Sequence, residues 1–509
     1  MYSLAIHYLQ ETQQEFFDKT AIQDGCDRIS FGQLWRQAMR MAHWLQSQHP
    51  VWNKPFVVDM PKSIDAIITL LAVQLTGNIY VPVDPESPPK RKLAIYKTLG
   101  PCVTVQRDSG EIIFDGEVYK VPEEISEEDF ISIELSILKS LGKRGTQDPL
   151  YIIFTSGTTG QPKGVTISNA NVVDYIEWAV TTYAITEREV IGNQAPLFFD
   201  NSTLDLYLML KTGATLSLIP RETLSFPSLL GEYLENEKIS FLFWVPSLLA
   251  NLVKFDTFSG HHLGALEKIL FAGEAMPLGV LKSLRSSFPN ALLSNLYGPT
   301  EITVDAIYWI FGDELATLKA TPLGVPCTNH RILFLDEEGQ PIRQFDTIGE
   351  ICVAGAGVGL GYWNDAERSD RVFIQNPEHH LYNERVYKTG DLGYLSEADG
   401  LIYMVGRNDD QFKHLGYRIE SGEIETALEQ MPGIAQSCVI YDKDKNEILA
   451  FYTADSNSAG PPNRKAMAEL LPPYMFPRRF ILLEKFPTTA NGKKDRSLVW
   501  NQYKNQDQR

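Results

Sequence analysis

The chain has 509 residues, of which 44% are hydrophobic and 22% are charged, so it holds enough apolar side chains to bury large cores. At roughly 100–200 residues per domain, this length predicts three or four packed units. The formal net charge of −18 argues against a nucleic-acid partner, because such proteins bind phosphates through clustered Lys and Arg side chains.

Targeting and redox features predict a cytoplasmic protein. Residues 1–17 lack the basic region and apolar run of a signal peptide, and no stretch approaches the roughly 20 apolar residues of a membrane span. The five cysteines lie far apart, without the paired spacing of a zinc site or a redox dithiol. We therefore expect a reducing compartment and no membrane insertion.

The predicted elements change in character along the chain. From residue 1 to about 310, apolar runs such as 55–58 and 79–83 alternate with amphipathic stretches such as 63–75, which predicts α/β layers with parallel strands. From about 320 to 405, Gly-rich turns separate short apolar runs, which indicates a small β-barrel or a distorted sheet. We place a domain boundary between residues 408 and 409, where the mixed α and β pattern returns.

The first motif is an apolar run, 151–154, that leads into a loop of hydroxyls, glycines and one lysine. Glycines allow the backbone to approach an anion, while N–H groups, hydroxyls and Lys163 can donate to it. The loop is not a Walker loop, because Lys163 follows Pro162 and no Ser or Thr comes after it. By itself, it could be a polar turn between a strand and a helix. The residues assigned to phosphate binding are Thr155, Ser156, Gly157, Thr158, Thr159, Gly160 and Lys163.

A second motif, residues 295–301, joins an amide, an aromatic ring, a Gly-Pro turn, a hydroxyl and a carboxylate. Such residues could stack a purine and hold a divalent cation. A turn with a capping threonine explains them about equally well. The residues assigned to this site are Asn295, Tyr297, Gly298, Thr300 and Glu301.

Three further segments indicate a function only in combination with these two motifs. Asp391 follows a predicted strand at a glycine turn, where a carboxylate could accept from ribose hydroxyls, although a simple turn aspartate is the more common explanation of such a residue in isolation. Arg407 and Asp409 lie in a charged stretch at the domain boundary. Lys493 follows an Asn-Gly turn, so it is expected on a loop tip.

Taken in order, these motifs resemble the adenylate-forming superfamily, over nearly the whole chain. Within it the chain resembles amino-acid adenylation domains of non-ribosomal peptide synthetases and D-alanine–carrier protein ligases. The set also includes residues 199–202 and 272–274, and through the latter Gly273 and Glu274 are assigned to the nucleotide site. The resemblance implies a multi-domain α/β fold: a large N-terminal domain (1–408) of two α/β layers plus a small β-barrel, and a mobile α+β C-terminal domain (409–509).

The resemblance also implies two half-reactions that use ATP and Mg²⁺. A carboxylate attacks the α-phosphorus of ATP, and a phosphopantetheine thiol then takes the acyl group. Tyr297 would stack on adenine and Asn295 would meet its amino edge, while Asp391, with Arg407 nearby, would bind the ribose. Thr300 would touch the α-phosphate, Glu301 would bind magnesium, and Lys493 would bridge the substrate carboxylate and the α-phosphate.

Substrate class depends on Asp200 in this resemblance. Amino-acid members place an aspartate here to pair with the substrate α-ammonium, whereas aryl and fatty-acyl relatives generally lack it. The lining is mostly aliphatic, which indicates a small or medium side chain, serine-like or alanine-like; Asp305 could accept from a polar one. The remaining pocket positions are Asn201, Leu204, Phe243, Leu270, Ala272, Leu296, Val304 and Asp305.

The predicted enzyme is therefore an AMP-forming ligase that loads an amino acid onto a carrier protein. No carrier segment follows the last motif, so we expect a separate carrier, and we expect a monomer. Asp409 would be the hinge about which the C-terminal domain moves between the two steps. An acyl- or aryl-CoA synthetase and a non-catalytic nucleotide sensor are the alternatives. The usual Ala-Arg-Gly-Tyr of one further motif is Gly359-Leu-Gly-Tyr362 here, and the motifs leave the effect of Leu360 open.

Overall fold

A computed structural model describes residues 4–108, 111–119, 126–157, 161–443, 445–454, 463–487 and 494–507. The chain divides into two compact units. The first contains residues 1–85, 99–153 and 164–408, and the second contains residues 86–98, 154–163 and 409–509. A helical segment and the Gly-rich loop (residues 154–163) thus belong to the second unit although they lie far from residue 409 in sequence.

The elements follow one another as these ranges show. The first part of the chain forms α1 (His7–Glu15), β1 (Thr20–Asp24), β2 (Asp27–Ser30), α2 (Phe31–Gln48), β3 (Pro55–Asp59), α3 (Ile64–Leu75), β4 (Ile79–Pro82), α4 (Pro89–Leu99), β5 (Val103–Asp108), β6 (Glu111–Phe114), β7 (Glu117–Val118), α5 (Glu127–Leu141), β8 (Pro149–Thr155) and β9 (Lys163–Ser168). The middle part forms α6 (Asn169–Tyr183), β10 (Val190–Asn193), α7 (Asn201–Thr212), β11 (Thr215–Leu218), α8 (Arg221–Ser225), α9 (Pro227–Asn236), β12 (Phe241–Trp244), α10 (Pro246–Lys254), β13 (Lys268–Phe271), α11 (Leu278–Ser287), β14 (Leu292–Tyr297), β15 (Ile307–Ile310) and β16 (Val325–Pro326).

The remaining elements belong to an antiparallel part and to the C-terminal region. The antiparallel part forms β17 (His330–Leu335), β18 (Pro341–Ile342), β19 (Gly349–Gly355), β20 (Gly361–Tyr362), α12 (Ala366–Val372), β21 (Phe373–Gln375), β22 (Arg385–Leu395) and β23 (Ile402–Arg407). The C-terminal region forms β24 (Gln411–His414), β25 (Tyr417–Glu420), α13 (Ser421–Glu429), β26 (Ile434–Asp442), β27 (Glu447–Ala454), α14 (Arg464–Ala468), β28 (Arg479–Leu482) and α15 (Arg496–Asp507).

Two mixed sheets form the predicted α/β layers. One has eight strands in the order β20-β9-β8-β4-β3-β5-β6-β7, and the other has nine in the order β16-β15-β14-β13-β12-β10-β11-β1-β2. Strands β3, β4, β5 and β8 pair in parallel, as do β1, β11, β10, β12, β13 and β14. The edges are antiparallel, unlike the expectation, because short turns such as the one between β1 and β2 allow only antiparallel pairing.

Residues 330–407 form the small β unit that the Gly-rich turns predicted. Its six strands pair antiparallel, in the order β18-β17-β19-β22-β21, with β23 beside β22. This confirms the predicted fold class of two α/β layers with a small β part, followed by a C-terminal α+β region.

The Gly-rich loop connects two strands, β8 and β9, rather than a strand and a helix as the polar-turn interpretation supposed. The run Lys163–Ser168 is buried throughout and pairs with β20, which explains why it is extended. Ser168 then caps α6 reciprocally with Asn171.

Helix α7 is the central element of the first unit's core. Its residues from Ser202 to Leu210 are all buried, because the helix packs against α6 on one side and strands β10, β11 and β12 on the other. It ends at Gly213, whose positive φ of 76° forms a left-handed cap. Asp200 immediately precedes its first residue, so the placement of this helix determines where that carboxylate lies.

The second unit has its own apolar core. Strands β26 and β27 pair antiparallel, and β28 adds to them in parallel, with α13 and α15 packed beside β26. Among the described residues of the whole chain, no helix combines the length and the apolar character needed to cross a bilayer.

Candidate active site

Tyr297, Asp391 and Arg407 come together although 110 positions of sequence separate the first from the last. Asp391 and Arg407 face each other across β22 and β23, and Arg407 Nη1 lies 2.5 Å from Asp391 Oδ1. The Tyr297 hydroxyl, at the end of β14, donates to Asp391 Oδ2. Burial and the Asp391 charge raise the pKa of Tyr297 well above its usual value, so its hydroxyl remains a donor. The carboxylate is held by two donors, and each oxygen can accept a further bond.

Asn295 and Gly298 flank this cluster on β14 and the turn after it. Asn295 Nδ2 donates to the Pro322 carbonyl at 2.8 Å, an orientation that leaves the amide oxygen as the acceptor an amino group requires. Gly298 lies against the next loop so closely that a Cβ there would be 2.3 Å from the Val304 carbonyl oxygen. The glycine is therefore required by backbone contact rather than by the turn alone.

Gly298→Ala should damage both stability and activity. The added methyl group would meet backbone atoms that can yield only if the site moves, and such overpacking costs about 1–3 kcal/mol. We expect a lower midpoint of thermal unfolding and a loss of adenylation activity. Gly279→Ala is the matched control, because nothing lies within 4 Å of a Cβ at that position. Equal behaviour of the two variants would contradict this account.

Glu301 is fully buried in a short helical turn, Thr300–Ile302. The Tyr362 hydroxyl donates to its Oε1 at 2.8 Å, and its carbonyl accepts from the N–H of Gly359 at 2.9 Å. Gly359 and Tyr362 of the altered motif at 359–362 thus contact Glu301, while the backbone N–H of Leu360 donates to the Thr166 carbonyl. The sequence did not predict that Tyr362 holds the carboxylate of Glu301.

The backbone is strained directly after this turn. Thr303 and Val304, both β-branched, have φ values of 62° and 73°. The Thr303 hydroxyl anchors the distortion by donating to the Gly357 carbonyl at 2.7 Å. Such conformations cost on the order of 1–3 kcal/mol each and persist where surrounding contacts impose them. This bend brings Val304 and Asp305 beside Gly298.

Three of the predicted pocket positions, Phe243, Leu270 and Leu296, lie on one face of the nine-stranded sheet. Phe243 and Leu270 are neighbours across β12 and β13. The apolar positions all belong to the core cluster between the two sheets, whereas the alternate strand residues belong to a second cluster on the other face. The members of this lining that are at most 3% exposed are Leu204, Phe243, Leu270, Ala272, Leu296, Val304 and Asp305.

Asp305 is the polar member of this lining. The Tyr175 hydroxyl, from α6, donates to its Oδ2 at 2.7 Å in a buried contact. Sequence reasoning did not include Tyr175, because helix periodicity marks it only as a core residue. The contact orients the Asp305 carboxylate, so a polar substrate group would meet a fixed acceptor rather than a mobile one.

Asp200 is half-buried, and it has helical backbone angles immediately before α7. Burial is the main cause that raises the pKa of Tyr151, and the charge of the nearby Asp200 carboxylate raises it further. Asn201, the first residue of α7, is also half-buried. Asp200 is four residues before Leu204 and has helical backbone angles, so the two side chains lie on the same side of α7.

The Gly-rich loop makes its described contacts within the second unit. The Ser156 hydroxyl donates to the Arg418 carbonyl at 2.5 Å, and Lys163 Nζ lies 4.0 Å from Glu420 Oε1. Burial raises the pKa of Glu420, against the opposing effects of Lys163 and Arg418. Thus Ser156 and Lys163, both assigned to phosphate, are held by the β24–β25 hairpin.

Several assigned residues remain predictions. Thr158, Thr159, Gly160 and Lys493 lie outside the described residues. Asp409 is exposed, and its carboxylate accepts from the Gln411 N–H at 3.2 Å. Gly273 has a positive φ of 97°, and the Glu274 carboxylate accepts from the Ser247 N–H, in the first turn of α10.

Two family models match the chain. The model described as AMP-binding enzyme covers residues 9–363, and that described as AMP-binding enzyme C-terminal domain covers residues 423–493. The chain belongs to the AMP-binding enzyme family. The match to the C-terminal domain model ends at residue 493, the position of the predicted catalytic lysine.

Curated relatives of this AMP-binding enzyme fall into two kinds. Bacitracin synthase 1 of Bacillus licheniformis is 32% identical over 97% of the chain, but the chain spans only 9% of that synthase. A D-alanine–D-alanyl carrier protein ligase of Bacillus cytotoxicus is also 32% identical, over 97% of this chain and 98% of that ligase.

A solved structure shows the same fold. It is a non-ribosomal peptide synthetase protein containing adenylation and PCP domains, bound to a vinylsulfonamide inhibitor. The TM-score is 0.81 at 24% identity, and the match covers 98% of this chain and 84% of that one. At this identity the likeness carries the fold alone.

Proposed function

We propose that this AMP-binding enzyme activates an amino acid as an aminoacyl-adenylate and transfers it to the phosphopantetheine thiol of a separate carrier protein. The observation that supports this proposal is the half-buried Asp200, which lies about one helical turn before Leu204 of the apolar lining. In the amino-acid members that the chain resembles, an aspartate at this position pairs with the substrate α-ammonium group, and we assign Asp200 the same role. The two kinds of relatives support the proposal.

The first half-reaction forms one bond and breaks one. An oxygen of the amino acid's carboxylate attacks the α-phosphorus of ATP, the bond to the bridging oxygen breaks, and pyrophosphate leaves with the electron pair. Catalysis here depends on positioning and on neutralising charge. In this proposal Thr155 to Lys163 hold the outer phosphates, Thr300 contacts the α-phosphate, and Lys493 bridges the two reacting groups.

The second half-reaction releases AMP. The thiol of the carrier loses its proton, its sulfur attacks the acyl carbonyl, and the carbon–oxygen bond to AMP breaks. Tyr297, Asp391 and Arg407 would keep the nucleotide in place through both steps. The hydrogen bonds already formed among these three side chains support that role, because they orient the carboxylate before a ribose arrives.

Magnesium fits the site through a single protein carboxylate. Among the described residues, no group of three His, Cys, Asp or Glu side chains is arranged to hold a metal ion. Mg²⁺ in nucleotide sites is commonly bound by one or two carboxylates together with substrate phosphates, and the buried Glu301, oriented by Tyr362, suits that role. The ion would neutralise charge on the phosphates.

The pocket lining favours a small or medium side chain. Leu204 and Phe243 are both fully buried and take up volume in this lining, while Asp305 offers an oriented acceptor. We propose serine-like or alanine-like amino acids of either chirality as the first candidates. An asparagine at 201 and a leucine at 204 do not match serine-like pockets. Serine-like and alanine-like amino acids therefore both belong in the test.

The deciding experiment is ATP–pyrophosphate exchange with a panel of L- and D-amino acids, benzoates and fatty acids. Exchange with amino acids alone supports the proposal. Exchange with aryl or fatty acids, followed by thioester formation on coenzyme A, would make the protein a CoA synthetase. Nucleotide binding without exchange on any acid would leave a sensor.

Asp409→Pro should slow carrier loading while leaving exchange nearly intact. In the proposed cycle the C-terminal domain turns about this residue after adenylation, and a proline ring restricts the φ rotation that the turn needs. Asp409→Ala is the matched control, because it removes the contact with Gln411 but leaves φ free. Single-turnover loading measures the step. Parallel losses in both variants would remove the hinge role.

A further inference from the structure

A buried charged cluster lies outside the proposed chemistry, at the point where β10 ends. Asp205, in the second turn of α7, is fully buried, and Asn193, the last residue of β10, is 2% exposed. Asn193 Nδ2 donates to Asp205 Oδ2 at 2.8 Å. The contact joins the two ends of residues 194–200, the segment that carries Asp200.

Lys62, from the side of the eight-stranded sheet, contacts the start of the same segment. It follows β3 and donates from Nζ to the carbonyls of Asn193 and Gln194, at 3.0 and 3.3 Å. Burial lowers the pKa of Lys62 to about 8, against the charges of Asp205 and Asp24. Burial raises the pKa of Asp205 to about 7, against Asn193 and Lys62. Both groups are thus held at a cost that an apolar pair would avoid.

The cluster is also incompletely satisfied. Among the described residues, neither Asn193 Oδ1 nor Asp205 Oδ1 has a hydrogen-bond partner, although both atoms are buried. Unsatisfied buried acceptors destabilise a fold, and native proteins hold few of them. A purely structural role would be served better by leucine or methionine at these positions.

We propose that Lys62, Asn193 and Asp205 form a brace that positions the segment 194–200 and so sets the place of the Asp200 carboxylate. These are positioning residues, since they act through Asp200 and do not touch substrate. The expected effect on catalysis rests on the proposed function, whereas the positioning of the segment does not.

Hydrogen–deuterium exchange of the 194–200 amides tests the brace without substrate. Lys62→Met should speed exchange there by about tenfold or more, because the charge-assisted bonds from Lys62 to the Asn193 and Gln194 carbonyls, at the start of the segment, are lost. Lys62→Arg should restore slow exchange. Lys268→Met is the matched control, because Lys268 pairs with Glu189 at 2.6 Å at the opposite end of β10. This variant should leave the hydrogen–deuterium exchange of the segment unchanged.

Kinetics test the consequence for the ammonium anchor. Lys62→Met should raise the KM for the amino acid about tenfold and change the KM for ATP less than twofold, since the Tyr297–Asp391–Arg407 cluster is untouched. Lys62→Arg should recover the amino-acid KM. Two results in Lys62→Met would overturn the brace: equal increases in both KM values, or hydrogen–deuterium exchange of the segment at the wild-type rate. If the wild-type protein is inactive on every amino acid, the proposed function is wrong. The hydrogen–deuterium exchange rates would still test whether the brace positions the segment.

Discussion

Asp200→Asn is expected to lower kcat/KM for the amino acid by about 100-fold or more, with little change in nucleotide binding. The amide keeps the size of the side chain but removes its charge, so the substrate ammonium would be desolvated without a counter-ion. Removing one partner of a buried ion pair costs about 3–5 kcal/mol, and each 1.4 kcal/mol is tenfold. Because Asp200 is half-buried, the lower part of that range applies.

Pyrophosphate exchange at saturating ATP measures this loss, and calorimetric titration with ATP alone supplies the internal reference. Asp174→Asn is the matched variant: this aspartate of helix α6 accepts from Asn329 Nδ2 at 2.6 Å and is not one of the residues assigned to the pocket. It should keep the wild-type amino-acid KM. If Asp200→Asn keeps it too, the ammonium anchor lies elsewhere and the CoA-synthetase alternative regains weight.

Lys493→Ala is expected to reduce exchange by about 10²–10³-fold without altering the unfolding midpoint. In the proposed reaction, negative charge redistributes over the α-phosphate region as the carboxylate attacks, and a cation placed there stabilises that state more than the ground state. The sequence predicts Lys493 on a loop tip, and exposed charges have small effects on stability.

Lys494→Ala provides the control at the next position. Lys494 Nζ donates to the Ser437 carbonyl at 2.6 Å and pairs with Glu429 at 3.0 Å, so its role is to hold the second unit together. This variant should lose stability and keep exchange near the wild-type rate. Unchanged exchange in Lys493→Ala would remove Lys493 from the mechanism, and a shared loss in both variants would show that the loop, not the charge, matters.

The fold class was predictable because periodicity records which faces of an element are buried. The runs at 55–58 and 79–83 form β3 and β4, and the stretch 63–75 forms α3. Pairing direction at the sheet edges was less accessible, since it depends on turn length and on which strand lies alongside. The loop after β8 shows the same limit: its residues suit a turn into a helix or into a strand, and pairing with β20 decides for a strand.

The motifs predicted the hydroxyls and glycines for phosphate and a carboxylate for ribose hydroxyls from their chemistry, while the family resemblance supplied the aspartate for an ammonium ion. Neither predicted the partners of the site residues. Tyr175 on Asp305, Tyr362 on Glu301 and Lys62 on the carbonyls before Asp200 come from distant parts of the chain. Only folding brings such groups within hydrogen-bond distance, since local sequence encodes which groups are present but tertiary packing sets which of them meet.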